Sequence, residues 1–157
     1  MRPPRSNNYR EKKSEFKDRV LEVRRVTRVM AGGKRFSFRV TVVVGDEKGK
    51  VGIGIAKGLD VATAVQKAIR QGQKNMIPIV LKDNRTILYD VETKYGAARV
   101  RLKPARVGHG LIAGGSARSV LELVGIRDIS AKILGRTTNK LSNAMATLKA
   151  LRTFEKK

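Results

Sequence analysis

The polar and apolar positions of the first half of the chain alternate in a way that predicts β-strands. Residues 20–30 are rich in β-branched side chains, and residues 36–44 place every second side chain on one apolar side of a strand. That side carries Phe36, Phe38, Val40, Val42 and Val44. Residues 51–56 predict a third strand, with aliphatic side chains on one side and glycine or alanine on the other. The pair Gly32-Gly33 between the first two strands predicts a hairpin tip whose backbone needs positive φ.

A helix is predicted after the third strand. Asp60 suits the N-cap position, and the apolar residues that follow recur at helical spacing. They are Val61, Ala64, Val65, Ala68, Ile69 and Met76. Three antiparallel strands and one amphipathic helix predict a two-layer unit over residues 15–78, which Pro78 separates from the rest of the chain.

The second half of the chain predicts a further β-rich segment. Residues 77–83, 86–95 and 97–105 are expected to form strands, with a turn at Asn84-Arg85. On the middle strand, one side is expected to carry Ile87, Tyr89, Val91 and Tyr95.

Two helices are predicted after these strands. The glycine-rich loop 108–116 precedes a short helix that ends at Gly125, a residue suited to a helix C-cap. A last helix is expected from about residue 139 to residue 154. Residues 79–157 thus predict a second small α/β unit, and the whole chain belongs to the α+β class.

The net charge indicates the class of partner. The chain of 157 residues has 35 Lys and Arg against 13 Asp and Glu, a formal net charge of +22. A compact fold with this charge repels itself unless a polyanion neutralises it. We therefore expect nucleic acid as the partner, ahead of an anionic membrane, because no amphipathic helix combines a basic face with a bulky aromatic one.

The composition of the N-terminal segment and the length of the apolar runs add two expectations. Residues 1–14 are basic and poor in large apolar side chains, which predicts a disordered basic arm. No run approaches the roughly 20 apolar residues of a membrane span, nor does the start resemble a secretory signal. We expect the protein to act where it is made, or in an organelle.

Catalytic and metal chemistry find little support in the sequence. There is no cysteine and one histidine, His109, which argues against a thiolate or histidine metal site and against a Ser/His/Asp triad. The runs "GDEKGK" (45–50) and "GIGIAKG" (52–58) miss the spacing of a P-loop and of a dinucleotide-binding loop. We expect no enzyme activity, no cofactor and no metal.

The run "KPARVGHGLIAGGSARSVLEL" places glycines just before a helix and resembles the phosphate-binding loop of the galactose, homoserine and mevalonate kinases. Those kinases have serines after the glycines, where this chain has Leu111 and Ile112. Nucleotide chemistry is therefore disfavoured. The loop is still expected to offer backbone N–H groups to an RNA phosphate.

The run "RVMAGGKRFSFRV" (28–40) leaves two interpretations of its aromatic residues. Phe36 and Phe38 either stack on nucleic-acid bases or belong to the core with the valines of the same strand side. Because those valines would share the open face, we expect both rings in the core. The basic residues around the tip are then expected to face RNA: Arg24, Arg25, Arg28, Lys34 and Arg35. Arg39 is a weaker candidate.

Five segments carry a resemblance to a known family. In chain order they are "RRVTRVMAGGKRFSFRVTVVVGD", "GKVGIGIAKGLDV", "LKPARVGHGLIAGG", "VLELVGIRDI" and "NAMATLKAL". Together they resemble the bacterial-type small-subunit ribosomal protein five, from about residue 15 to residue 151. The resemblance implies a double-stranded-RNA-binding-like domain over residues 15–78 and, over residues 79–157, an α/β domain of the type found in those kinases.

The same resemblance implies a function. Members of this family are structural components of the small ribosomal subunit that bind its rRNA, support assembly, contact ribosomal proteins four and eight, and lie near the messenger entry and decoding region. We expect localisation to a ribosome, cytoplasmic or organellar. The alternatives are a free-standing RNA chaperone or translation factor and, less favoured, a small nucleotide-dependent kinase.

The residues and the resemblance together give a candidate site. For RNA binding we expect Arg24, Arg25, Arg28, Gly32, Gly33, Lys34, Arg35, Lys57, Arg106, Gly108, His109 and Gly110. For contact with a protein partner we expect Gly114, Gly115 and Arg118. The chain departs from the family at His109, where threonine is usual, and at residues 139–142, where a proline is missing and the start of the last helix is left open.

Overall fold

A computed structural model describes residues 15–154 of the chain, so the predicted arm over residues 1–14 lies outside the described part. The strands are β1 (Lys17–Met30), β2 (Gly33–Gly45), β3 (Lys50–Gly58), β4 (Ile77–Pro78), β5 (Val91–Tyr95), β6 (Ala98–Pro104), β7 (Leu111–Ile112) and β8 (Ile129–Ile133). The helices are α1 (Val61–Lys74), α2 (Gly115–Val124) and α3 (Lys140–Arg152). The strands form two four-stranded sheets, which confirms the α+β class.

The first sheet has the strand order β1-β2-β3-β4, with every neighbouring pair antiparallel. Helix α1 covers one side of this sheet, and we call that side the helix side. Asp60 caps the helix as predicted and accepts a hydrogen bond from the Ala62 amide at 3.3 Å. The helix ends at Lys74, so Met76 packs against the same apolar cluster from beyond the helix end.

The second sheet has the order β5-β6-β8-β7, with β7 parallel to β8 and the other pairs antiparallel. The predicted strand over residues 86–95 is wrong in its first half, because only Val91–Tyr95 forms a strand and Thr86 makes no more than a single bridge, to Lys82. The four residues expected to share one side therefore do not: Ile87 is fully buried, whereas Tyr89 is exposed and meets the Phe154 ring edge-on at 4.9 Å. The predicted strand over residues 77–83 shortens to Ile77–Pro78.

Helices α2 and α3 lie between the two sheets. They contact strands of the first sheet on the side opposite to α1, which we call the core side, and strands of the second sheet as well. One apolar cluster runs through all of these layers and includes Val43 and Ile53 of the first sheet and Leu102 of the second. The boundary at residue 78 stays a prediction, and the two halves share one core.

The end of α2 confirms the cap residue predicted there, and the start of α3, which the sequence left open, is defined by a cap that was not predicted. Gly125 ends α2 with φ of 94°, a left-handed conformation that favours glycine. Asn139 is the N-cap of α3, and its side chain accepts hydrogen bonds from the amides of Leu141 and Ser142 at 3.1 and 3.4 Å. An asparagine cap thus defines the start of the last helix although the usual proline is missing.

Within residues 15–154, none of the helices is both long enough and apolar enough to cross a membrane. The same part of the chain contains no group of three His, Cys, Asp or Glu side chains arranged to hold a metal ion.

Candidate nucleic-acid interface

Strands β1 and β2 continue beyond the third strand as a two-stranded hairpin. The last residue pair between β2 and β3 joins Phe38 to Gly58, while β1 and β2 pair on to Met30 and Gly33. We call residues 24–37 the basic ribbon. Because neither β3 nor α1 accompanies it to the tip, most of its side chains are exposed to solvent.

The tip of the basic ribbon is a two-residue loop formed by Ala31 and Gly32. Gly33 has φ of +149°, whereas Gly32 does not have a positive φ. The prediction that the glycine pair needs positive φ therefore holds for Gly33 alone. Within residues 15–154, no atom beyond the adjacent residues lies within 4 Å of a Cβ built at either glycine, so the tip does not pack against the described part of the fold.

The pairing register divides the predicted RNA-binding residues between the two sides of the ribbon. Paired residues of antiparallel strands point to the same side, so the pairs Arg24–Arg39 and Arg28–Arg35 share the core side. Lys57 pairs with Arg39 and joins them. The side chains of Arg25 and Lys34 belong to the helix side. The core side of the ribbon and of the adjoining sheet therefore concentrates five cations: Arg24, Arg28 and Arg35 in the ribbon, and Arg39 and Lys57 next to it.

Few of these cations form an ion pair with a carboxylate within residues 15–154. Arg24 pairs with Glu22, with 2.8 Å between Nε and Oε1. In the part of the chain that the structure describes, no carboxylate pairs with Arg28, Lys34 or Arg35. The ribbon thus presents positive charge that the carboxylates of residues 15–154 leave largely unbalanced, which suits it to an external anion.

The two phenylalanines of the ribbon differ in burial. Phe38 is half-buried and packs against the cluster formed with α1, as predicted. Phe36 is 47% exposed, so its assignment to the core is wrong. The reason is that β3 ends opposite Phe38, which leaves nothing to cover the next residue on that side. Instead, the Arg25 guanidinium carbon lies 4.7 Å from the centre of the Phe36 ring.

The glycine-rich loop before β7 was expected to offer its amides to a phosphate, and an internal carboxylate holds them instead. The amides of Gly108 and Gly110 both donate to Asp128 Oδ1 at 3.0 Å. Both glycines have positive φ, 87° and 77°, and this turns their N–H groups towards the carboxylate. The expected anion site at these two amides is therefore already filled by Asp128, while the side chains of Arg106 and His109 remain exposed.

Asp128 is a residue that the sequence analysis missed. It is 2% exposed, and its Oδ2 accepts a hydrogen bond from Arg85 Nε at 3.0 Å. The hydrogen bond from Gly110 N–H, together with the charge of Arg85, holds the pKa of Asp128 below its usual value despite the burial. The local sequence carries little signal for it, because Asp128 stands between Arg127 and Ile129 just before β8 and its partners lie 18 to 43 residues away.

The predicted protein-contact residues lie together at the start of α2. Gly114 is the N-cap, Gly115 is the first helical residue, and both are exposed. The Arg118 side chain reaches back to the carbonyl oxygen of Leu111 at 3.4 Å. The structure brings these three residues together on one surface at the start of α2.

Comparisons with known proteins agree with these features. Residues 16–80 match the family described as ribosomal protein S5, N-terminal domain, and residues 93–157 match ribosomal protein S5, C-terminal domain. The small ribosomal subunit protein uS5c of Guillardia theta is 48% identical over 147 residues, 94% of this chain and 86% of the relative. The uS5 proteins of Thermosynechococcus vestitus and Anaplasma phagocytophilum are 47% and 50% identical, covering 92% and 85% of this chain and 84% and 76% of those relatives.

The matched domain models and the relatives are all ribosomal proteins, a structural and non-enzymatic class, and the two-sheet α+β fold with its basic ribbon belongs to that class. The family can be stated more narrowly. The two domain models together match most of the chain, and the relatives share nearly half of their residues with it over most of its length. The chain belongs to the ribosomal protein S5 family.

Proposed function

We propose that this protein is a structural component of the small ribosomal subunit and binds its rRNA through the basic ribbon. The observation that carries the proposal is the charge of the ribbon: residues 24–36 contain five basic residues and no acidic one. The names of the relatives, small ribosomal subunit protein uS5 and uS5c, support the ribosomal role.

The core side of the ribbon is the part suited to phosphates. Its arginines face each other across the two strands, so one side chain from each strand reaches the same RNA backbone. Arginine presents several N–H donors in a planar fork and binds phosphate oxygens in pairs. Such contacts fix the position of the protein on a folded RNA and carry little base information.

The loop before β7 and the start of α2 extend the proposed contacts. Arg106 and His109 are exposed and suited to an RNA phosphate or groove. Gly114, Gly115 and Arg118 form the surface that we assign to ribosomal protein four. Contact with ribosomal protein eight, a position near the messenger entry and decoding region, and a role in subunit assembly belong to the same proposal, as does a cytoplasmic or an organellar ribosome as its location.

The test is binding of the full chain to small-subunit rRNA as a function of salt, together with co-sedimentation with the small subunit. Each phosphate contact contributes roughly 0.7 to 0.9 to the slope of log affinity against log salt. Replacing Arg28 and Arg35 with alanine should lower affinity and reduce that slope by about 1.5. The double variant Arg99→Ala/Arg101→Ala removes the same charge from exposed ion pairs on β6 and is the control.

If the two double variants lost the same affinity for rRNA, a specific role of the ribbon would be contradicted. An affinity independent of salt would contradict phosphate contacts altogether. A free-standing RNA chaperone would leave the small subunit when the ribosomes are washed in moderate salt, whereas the proposed component should stay with it.

A further inference from the structure

Phe36 is the aromatic residue among the exposed apolar side chains of the ribbon, and the others, Val29 and Met30, lie nearer the tip. Its side chain is 47% exposed, whereas Phe38 two residues along the same side is packed under α1. An aromatic ring stabilises a fold mainly through the apolar area that it buries, and the half-exposed Phe36 ring contributes little stability in this way. The ring is therefore free to serve a contact outside the chain.

Arg25 places a second flat group, its guanidinium, beside the Phe36 ring, and together they suit a flat, electron-rich partner. The Arg25 guanidinium lies over the Phe36 ring at 4.7 Å, a cation–π contact between the two strands of the ribbon. Phe36 pairs with Thr27, and Lys34 and Val29 form the next pair on the same side towards the tip. The helix side of the ribbon thus combines an aromatic plane, a guanidinium plane and a free ammonium group.

We propose that Phe36 and Arg25 together hold one unpaired RNA base by stacking, on the side of the ribbon opposite to the phosphate-binding arginines. RNA bases that are splayed out of a helix stack on aromatic rings and on arginine planes. A polyanion fits this surface better than a protein partner does, because every charged residue of residues 24–36 is basic. This inference rests on the proposed rRNA binding and gives the ribbon a base contact in addition to phosphate contacts.

The first experiment uses fluorescence. The chain contains no tryptophan, so Phe36→Trp introduces a single reporter at the site. We expect its emission to be quenched by small-subunit rRNA and by single-stranded oligoadenylate, but far less by a fully paired RNA duplex at the same occupancy, measured by anisotropy of labelled RNA. The control is Leu88→Trp, because Leu88 is 48% exposed and lies outside the ribbon. It should respond alike to all three RNAs.

The second experiment separates stacking from charge. Phe36→Leu keeps the apolar bulk and should lower affinity for rRNA about tenfold without changing the salt slope, because a stacking contact releases no counterions. Phe36→Tyr keeps the ring and should retain the affinity. Both variants should unfold at the same urea concentration as the parent, since the side chain is exposed.

Three results would overturn the inference. Unchanged emission of the tryptophan variant when rRNA is bound at saturation would exclude stacking while leaving the proposed function intact. Equal affinity of the leucine variant and the parent would do the same. Absence of rRNA binding by the parent chain would remove the proposed function and this inference together.

Discussion

At the scale of single residues, Asp128 connects three segments that are distant in the sequence. One carboxylate oxygen accepts hydrogen bonds from the amides of Gly108 and Gly110, and the other accepts a hydrogen bond from the Arg85 side chain. Its own amide donates to the carbonyl oxygen of Arg85 at 3.2 Å. A buried carboxylate with this number of donors is stabilised in its charged form. Asp128 therefore sets the shape of the loop that carries Arg106 and His109.

Asp128→Asn and Asp128→Ala should both destabilise the fold at neutral pH, the alanine variant more. Asparagine keeps an oxygen for the two glycine amides but loses the charge facing Arg85, whereas alanine leaves these buried donors without a partner. Urea unfolding at pH 7 checks the order. Equal stability of the parent and the alanine variant would contradict the role given to this carboxylate.

The stability difference between the parent and Asp128→Asn should also depend on pH. The folded pKa of Asp128 is lowered, so its contribution is present above the unfolded pKa of about 3.9 and is lost as the pH falls through the lower folded pKa. We expect the difference between the two unfolding midpoints to shrink below about pH 4. A difference that stays constant into the acid range would argue against a charged Asp128.

Residues that act on their own neighbours were predictable from the sequence, and residues that act over long distances were not. The caps at Asp60 and Gly125 depend on amides within a few positions, so the local pattern identifies them. The burial of Phe36 depends on where β3 ends, 22 residues later in the chain than Phe36. The strand pattern alone carries no information on that end point.

At the scale of elements, α1 lies unusually close to β3. A Cβ built at Gly54 would overlap the carbonyl oxygen of Ala68, and one built at Gly52 would overlap that of Gly72. The strand therefore presents its bare backbone to the helix. The glycine and alanine side of the third strand, which was visible in the sequence, is the side on which the helix rests.

Gly54→Ala should destabilise the protein by about 1 to 3 kcal/mol or more, because the added methyl group must push the helix away from the sheet. The control is Gly32→Ala at the hairpin tip, where φ is not positive and nothing lies within 4 Å of the new methyl group. Urea unfolding of both variants is the measurement. A similar small effect in both would show that α1 is not held at this distance.

The elements of the second sheet were harder to predict than those of the first. Strands β1 to β3 pair with chain neighbours, so alternation and turn residues are sufficient to place them. Strand β8 enters between β6 and β7, and β7 has only the two residues Leu111–Ile112. Such short strands exist because a distant segment pairs with them, which the local sequence does not reveal.

At the scale of the whole molecule, the two sheets are joined through the helices between them. Val43 and Ile53 point away from α1 into the cluster that contains Leu102 and Leu121. The sequence indicates that the core side of the first sheet is covered as well as its helix side. Residues 42–44 are three successive valines, and a strand buried on both sides carries such a run. Two separate two-layer units would not need it.

The two halves should therefore unfold together. Ile53→Ala should lower the free energy of unfolding by about 2 to 4 kcal/mol. Hydrogen exchange should show the same loss of protection in amides of β6, in the second sheet, as in β2, in the first. Lost protection confined to the first sheet would contradict a shared core.

The position of α2 between the sheets also has a consequence for the order in which the chain is made. The first sheet is complete once Pro78 has been synthesised, but its core side has no cover until α2 (Gly115–Val124) has followed. At about 5 to 20 residues per second, that delay is a few seconds. During this time the growing chain carries an uncovered apolar surface next to a strongly cationic hairpin. The nascent protein is therefore most exposed to misassembly midway through its synthesis, when half of it already has its secondary structure.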